Sequence, residues 1–204
     1  MAEKKKWLDK ENINLIVAVC AVLISAASFY ATYVQSTVAE RQVRAETWPY
    51  IQISSGNYDM EKEQQRVYVV AENVGVGPAH LVSFQLFYNK ESVANISQLI
   101  AKCCLGDDEN RRDQDGRTKP EYGAIITTSP SPGILPAGEL KTAFSLVATD
   151  KNQVFWEKLN KARFKLTGKA CYCSLLDECF ETKLYGEPVP VKACRAQPGL
   201  DFSG

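Results

Sequence analysis

Hydrophobic positions follow two regimes along this chain, and the regime changes at Pro49. Before it, no charged residue interrupts Asn12 to Ala39, and an apolar core runs from Ile13 to Val34. That run covers the ~20 residues a helix needs to cross the hydrocarbon of a bilayer. Its Ile, Leu, Val and Phe side chains each favour insertion by roughly 0.3–0.6 kcal/mol. Tyr30, Tyr33 and Trp48 suit one membrane interface and Trp7 the other. The run is longer than the apolar region of a secretory signal, and it continues past the small-residue site Ser25-Ala26-Ala27. The pattern therefore predicts a retained anchor: a tail over 1–11, a transmembrane helix over 12–35 and a helical juxtamembrane stalk over 36–47.

After Pro49 the period changes to two. Ile51 and Ile53 alternate with polar neighbours, as do Val67 and Val69. Val82, Phe84, Leu86 and Tyr88 follow, with Ser83 and Gln85 between them. Leu140, Phe144 and Leu146 continue the pattern, then Phe164, Leu166, Ala170 and Tyr172, then Phe180 and Leu184. Such alternation marks half-buried strands. With Ala124–Thr128 the count is about seven, which predicts an all-β domain over 48–190, an immunoglobulin-like antiparallel β-sandwich. Residues 191–204 read as a C-terminal tail. Two short helices interrupt the strands. Val93, Ile96, Ile100 and Cys103 share one helical face, and Thr149-Asp150 offers an N-cap before Gln153–Leu159. A polar loop over 106–120 lies between them.

Charge adds orientation but no substrate. Acidic and basic residues balance at 24 each, which gives no sign of a polyanionic partner. Arg111 and Arg112 are too few for a nucleic-acid stripe, so no nucleic acid is expected. Lys4, Lys5, Lys6 and Lys10 precede the apolar run, whereas only Arg41 and Arg44 follow it closely. The positive-inside rule then puts the N-terminus in the cytoplasm and the domain outside. Within the span, Ala18, Ala21, Ser25, Ser28 and Thr32 form a stripe of small residues at heptad spacing. Small residues let helix backbones approach closely in lipid. The expected partners are the bilayer and a second membrane or envelope protein, or another copy of the same helix.

Glu72–Ala79 reads Glu-Asn-Val-Gly-Val-Gly-Pro-Ala. It contains G-x-G, but the third glycine of a dinucleotide fingerprint is missing and a strand follows where a helix is needed. The reading is a tight turn built on Asn73, Gly75, Gly77 and Pro78, with the glycines permitting positive φ. This turn resembles one in a group of bacterial single-pass membrane proteins. The likeness extends to the anchor, Trp48-Pro49-Tyr50, the Leu-Pro-Ala-Gly-Glu segment Leu135–Glu139 and the Cys-Tyr-Cys-Ser run Cys171–Ser174. The resemblance implies a bacterial inner-membrane protein with an envelope-facing β-sandwich. It implies no activity.

Seven cysteines carry the most specific chemistry. Cys20 lies in the span, and Cys103, Cys104, Cys171, Cys173, Cys179 and Cys194 lie beyond it. In a hairpin over Phe164–Tyr185, alternation sends Cys171, Cys173 and Cys179 to the face away from the core, unless Gly168 bulges the strand. A short turn then sets Cys173 opposite Cys179, a geometrically sound disulfide. Cys103 and Cys104 reach the same face if their helix covers it, and Cys194 staples the tail. An even number of cysteines outside the cytoplasm favours disulfides. Structural zinc is the second reading, although C-x-C is not its usual spacing and the single histidine, His80, is remote in sequence. Reduced cysteines or a redox pair are the third.

Other chemistry fails on inspection. His80 has no nucleophile motif beside it and reads as a strand-end histidine. Asp113-Gln-Asp115-Gly116 matches part of a calcium loop, but Arg111 and Tyr122 stand where ligands are required. No catalytic residues, metal or cofactor are expected. The sequence thus points first to a periplasm-facing binding module, such as an accessory subunit of an envelope complex. A cysteine-dependent redox or hydrolytic enzyme is the rival. A cytoplasm-facing sensor or defence component with reduced or zinc-bound cysteines is the third possibility.

Overall fold

In the computed structural model, which describes residues 10–105, 112 and 118–204, a single helix, α1 (Lys10–Glu46), leads the chain. Its 37 residues at about 1.5 Å rise give a rod of ~55 Å, and it is long and apolar enough to cross a membrane. The expected span and stalk are therefore one continuous helix. Two hydroxyls of the small-residue stripe turn back on the helix itself: Ser25 Oγ donates to the Ala21 carbonyl (2.8 Å) and Thr32 Oγ1 to that of Ser28 (2.9 Å). Those donors are satisfied without a partner, so the stripe offers small size rather than free hydroxyls.

The chain from Glu46 to Gly204 forms a separate unit. Among its described residues ten strands follow in order: β1 (Ile51–Asp59), β2 (Gln64–Asn73), β3 (Ala79–Tyr88), β4 (Glu91–Val93), β5 (Ile126–Thr127), β6 (Gly133–Leu135), β7 (Leu140–Val147), β8 (Leu166–Cys173), β9 (Cys179–Lys183) and β10 (Val189–Val191). Helices α2 (Ile96–Cys103) and α3 (Gln153–Ala162) interrupt them. One sheet runs β1-β2-β7-β5; the other runs β10-β9-β8-β3-β4, with β6 also on β3. All the strand pairings are antiparallel.

Both sheets contribute to one core. Ile51, Ile53, Val67, Val69, Phe144 and Leu146 enter it from the first sheet, and Leu81, Phe84, Leu86, Ala170 and Tyr172 from the second. Tyr172 ties the two together, because its phenol oxygen accepts the Ile51 N–H (3.2 Å). Helix α2 closes one side with Leu99 and Ile100, and α3 adds Phe155, Trp156 and Leu159. Asn95 caps α2 by accepting from the Gln98 N–H, while Gln98 Oε1 accepts from the Ala94 N–H.

Several expectations need correction. The sheets contain β4, β6 and β10 in addition to the seven strands expected. Val93 belongs to β4 rather than to the helix. The N-cap of α3 is Asn152 rather than Thr149-Asp150; its side chain bonds Thr149 N–H and the Val147 carbonyl, bracing the turn before the helix. Phe164 sits in a helical turn and is exposed, so β8 begins at Leu166. Gly168 does not bulge; the irregularity is in β3, between Leu81 and Ser83. That bulge puts Leu81 in the core with Phe84 and leaves Val82 half-buried.

Residues 191–204 also belong to the folded unit rather than forming a tail beyond it. Phe202 is buried and its N–H reaches the Phe84 carbonyl (2.7 Å), between the stretches of β3 that pair with β6 and with β4. The calcium-like run from Asp113 to Gly116, and most of the 106–120 loop, lie outside the described residues.

The Gly75–Pro78 turn has a different cause from the one expected. Neither glycine there has positive φ. They are required because the backbone leading into β1 lies against them: a Cβ on Gly75 would collide with Tyr50 N and Trp48 O, and one on Gly77 with the Thr47 carbonyl. Asn73 organises this contact. It is fully buried; Nδ2 donates to the Gly77 (2.8 Å) and Leu135 (3.0 Å) carbonyls, and Oδ1 accepts from Gly75 N (3.1 Å) and Tyr50 N (3.2 Å).

Candidate functional site

Chemistry-bearing side chains gather on the outer face of the six-stranded sheet. Alternation along β8 buries Gly168, Ala170 and Tyr172 and turns Lys169, Cys171 and Cys173 outward. Cross-strand register then sets rows on that face. One row is Ser83, Cys171, Glu181 and Val189; the next is His80, Cys173, Cys179 and Val191. The outward placement of Cys171, Cys173 and Cys179 is as the alternation implied. His80, remote in sequence, is Cys173's neighbour in space.

Cys173 and Cys179 are bonded (S–S 2.09 Å), the pairing expected from the hairpin. Ser174 shapes the turn between them: its Oγ accepts the N–H groups of Leu176 (3.1 Å) and Glu178 (3.2 Å), and Asp177 takes positive φ. Cys194 is bonded to Cys171 (2.02 Å). It thereby pins the C-terminal segment to the sheet, as a staple on that segment would. Cys103 and Cys104 do not join this face. They are bonded to each other at the end of α2, with Cys104 in the core. Cys20 is the free cysteine. The Cys171–Cys194 and Cys173–Cys179 loops typically add about 2–4 kcal/mol each, whereas Cys103 and Cys104, adjacent in sequence, close almost no loop.

The pinned segment roofs a polar cleft of about 230 Å³, lined by Ser83, Lys169, Cys171, Glu181, Arg195 and Gln197. Two buried polar residues of β3 hold the roof. Ser83 Oγ donates to the Asp201 carboxylate (2.5 Å), and Gln85 Nε2 donates to Gln197 Oε1 (3.0 Å). Asp201 also accepts the Gln197 N–H (2.7 Å), closing a small network. Lys169 and Glu181 face each other at 3.9 Å and are part-exposed, a pair worth under ~1 kcal/mol. The cleft thus presents one lysine, one arginine and one glutamate to solvent, walled by a disulfide. Sequence reading missed this roof, although Phe202, a large apolar residue in a polar stretch, was the available signal.

A second cleft, about 200 Å³, opens beside Cys103 and is lined by Tyr88, Lys158, Lys161 and Lys165. Lys158 Nζ donates to the Cys104 carbonyl (3.1 Å) and holds α3 against the end of α2.

A family described as a domain of unknown function, DUF8453, matches residues 12–182. The chain belongs to this family. The match takes in nearly all of α1 and the strands of this DUF8453 protein from β1 into β9, and it stops before β10, Cys194 and the roof of the polar cleft. No curated protein matches the chain.

Proposed function

We propose that this DUF8453 protein is a membrane-anchored binding module. Helix α1 spans a bacterial inner membrane, the N-terminus stays in the cytoplasm, and the domain stands in the periplasm as an immunoglobulin-like β-sandwich. Its partner is another envelope protein, engaged at the polar cleft over β3, β8 and β9. One observation carries the reading: the six cysteines beyond α1 form three bonded pairs, and one of these pins the roof of a mixed-charge cleft. Bonded pairs suit an oxidising compartment, in agreement with the lysine bias before α1. A cleft bearing both signs of charge suits recognition of a polar protein surface.

The test has two arms. A C-terminal phosphatase reporter, active only outside the cytoplasm, should be active, and an inactive fusion overturns the topology. A photo-crosslinking residue at Arg195 should trap a protein adduct in native membranes, whereas one at Lys62, on the β1–β2 loop, should not. The absence of any adduct from Arg195 across growth conditions counts against the binding reading.

A further inference from the structure

The sulfurs of Cys173, Cys179 and Cys194 lie within 4.8 Å of one another, although they belong to two different disulfides. Cys171, bonded to Cys194, stands beside them. A tetrahedral zinc site with Zn–S near 2.3 Å sets its sulfurs ~3.8 Å apart. Cys194 thus already lies no more than about an ångström beyond that spacing from either of the other two, while Cys173 and Cys179 move apart to it once their bond is broken. We propose that, once both bridges are reduced, Cys171, Cys173, Cys179 and Cys194 bind one zinc ion as a tetrathiolate site.

The C-x-C spacing is no obstacle on a strand. Residues two apart point to the same face, so Cys171 and Cys173 act together, and register places Cys179 opposite Cys173. Cys194 supplies the fourth ligand from the C-terminal segment. Lys169 and Arg195, which line the adjoining cleft, put positive charge beside a centre carrying −2. The chemistry balances with a dithiol reductant. Each disulfide takes two electrons and two protons from one dithiol, which leaves as its own disulfide. The four thiols then release four protons as they bind Zn²⁺. In either state the C-terminal segment stays tied to the sheet. The inference is independent of which side of a membrane the domain faces, so its failure leaves the topology untouched.

The test uses the full chain in detergent micelles, with Cys20→Ser to silence the free thiol. The protein is reduced with a phosphine in the presence of Co²⁺ and without oxygen. The expected result is one Co²⁺ per chain with the absorption of a tetrahedral cobalt thiolate, displaced by Zn²⁺. Replacing Cys103 and Cys104 with Ser, or His80→Ala, should leave it unchanged. Cys179→Ser or Cys194→Ser should weaken binding by more than ~100-fold, since groups behind metal ligands are themselves worth 10–100-fold. Limited proteolysis guards against mere unfolding: with metal, the reduced domain should resist cleavage after Lys192 and Arg195, and chelation should expose both sites. The proposal fails if no thiolate spectrum appears, if the spectrum survives Cys194→Ser, or if the metal-loaded reduced chain is cleaved as fast as the chelated one.

Discussion

Replacing Asn73 with alanine should be among the most damaging single changes in the domain. The side chain makes four hydrogen bonds and is fully buried. Its two Nδ2 bonds end on the carbonyls of Gly77 and Leu135 in buried surroundings, and losing each costs about 1–2 kcal/mol. Its two Oδ1 bonds serve the part-buried amides of Tyr50 and Gly75, which water can reach, at ~0.5 kcal/mol each. The expected loss is therefore about 3–5 kcal/mol, against a typical total of about 5–15. Urea unfolding of the full chain in micelles, followed by near-ultraviolet circular dichroism, should show a lower midpoint at unchanged slope. A loss below ~1 kcal/mol would refute the reasoning, because it would mean the four bonds are not what holds the turn.

Asn73→Asp sharpens the test. It keeps the acceptors, loses the donors and aims a carboxylate at two carbonyl oxygens. That environment raises the folded pKa above the unfolded value of ~3.9. The variant should therefore be least impaired in acid, where the protonated carboxyl can still donate once. It should lose further stability as pH rises through the folded pKa. A variant whose stability is flat across that range contradicts the assigned partners.

Burial pushes the Tyr172 phenol from its usual 10.0 up to about 12. Below pH 10 both folded and unfolded chains keep the proton; from about pH 10 to about 12 only the unfolded chain releases it, so stability should fall by about 2–3 kcal/mol over that window. Tyr172→Phe should abolish that alkaline loss, which a denaturation series against pH reads directly. The Lys62 backbone N–H, and then the Arg66 guanidinium at 3.0 Å, hold the Asp59 carboxyl below its usual 3.8. Its contribution is present above the unfolded value and is lost as pH falls through the folded one. Arg66→Met should raise the Asp59 pKa, as read by carboxyl carbon NMR titration, but only part of the way, because the Lys62 N–H remains.

Much of the fold was legible because long strands with one buried face announce themselves. In β8 and at the start of β1 the side chains do alternate between core and a more exposed face; in β3 and β7 the polar Ser83, Gln85 and Ser145 keep the period in the sequence although they too are buried. The missed strands β4, β6 and β10 are three residues each, too short to carry a period. For β4 a local signal existed: Asn89 and Lys90 both take positive φ, the geometry of a two-residue hairpin, and Asn is one of the few residues that tolerates it. The two motifs that looked like separate turns, Asn73–Pro78 and Leu135–Glu139, are one structure. Asn73 bonds Leu135 through its side chain, and through its backbone it bonds Gly138 (2.8 Å) and Glu139 (2.9 Å). Nothing in spacing alone reveals a contact across 62 residues.

The cysteine face was half legible for a related reason. Parity within one strand is local, so the outward direction of Cys171, Cys173 and Cys179 could be read from their neighbours. Pairing needs register, and register depends on the turn. Parity leaves Cys171 and Cys173 as equal candidates for Cys179. The Ser174–Glu178 turn sets Cys173 opposite Cys179 and Cys171 opposite Glu181, which leaves Cys171 with no partner on the hairpin. Its partner must then come from elsewhere, and the C-terminal segment supplies it as Cys194. The bulge between Leu81 and Ser83 completes the arrangement: it keeps both His80 and Ser83 on the outer face, beside Cys173 and Cys171, and Ser83 with Gln85 anchors the segment that brings Cys194 into place. A one-residue irregularity in β3 and a five-residue turn after β8 thus decide which sulfurs meet.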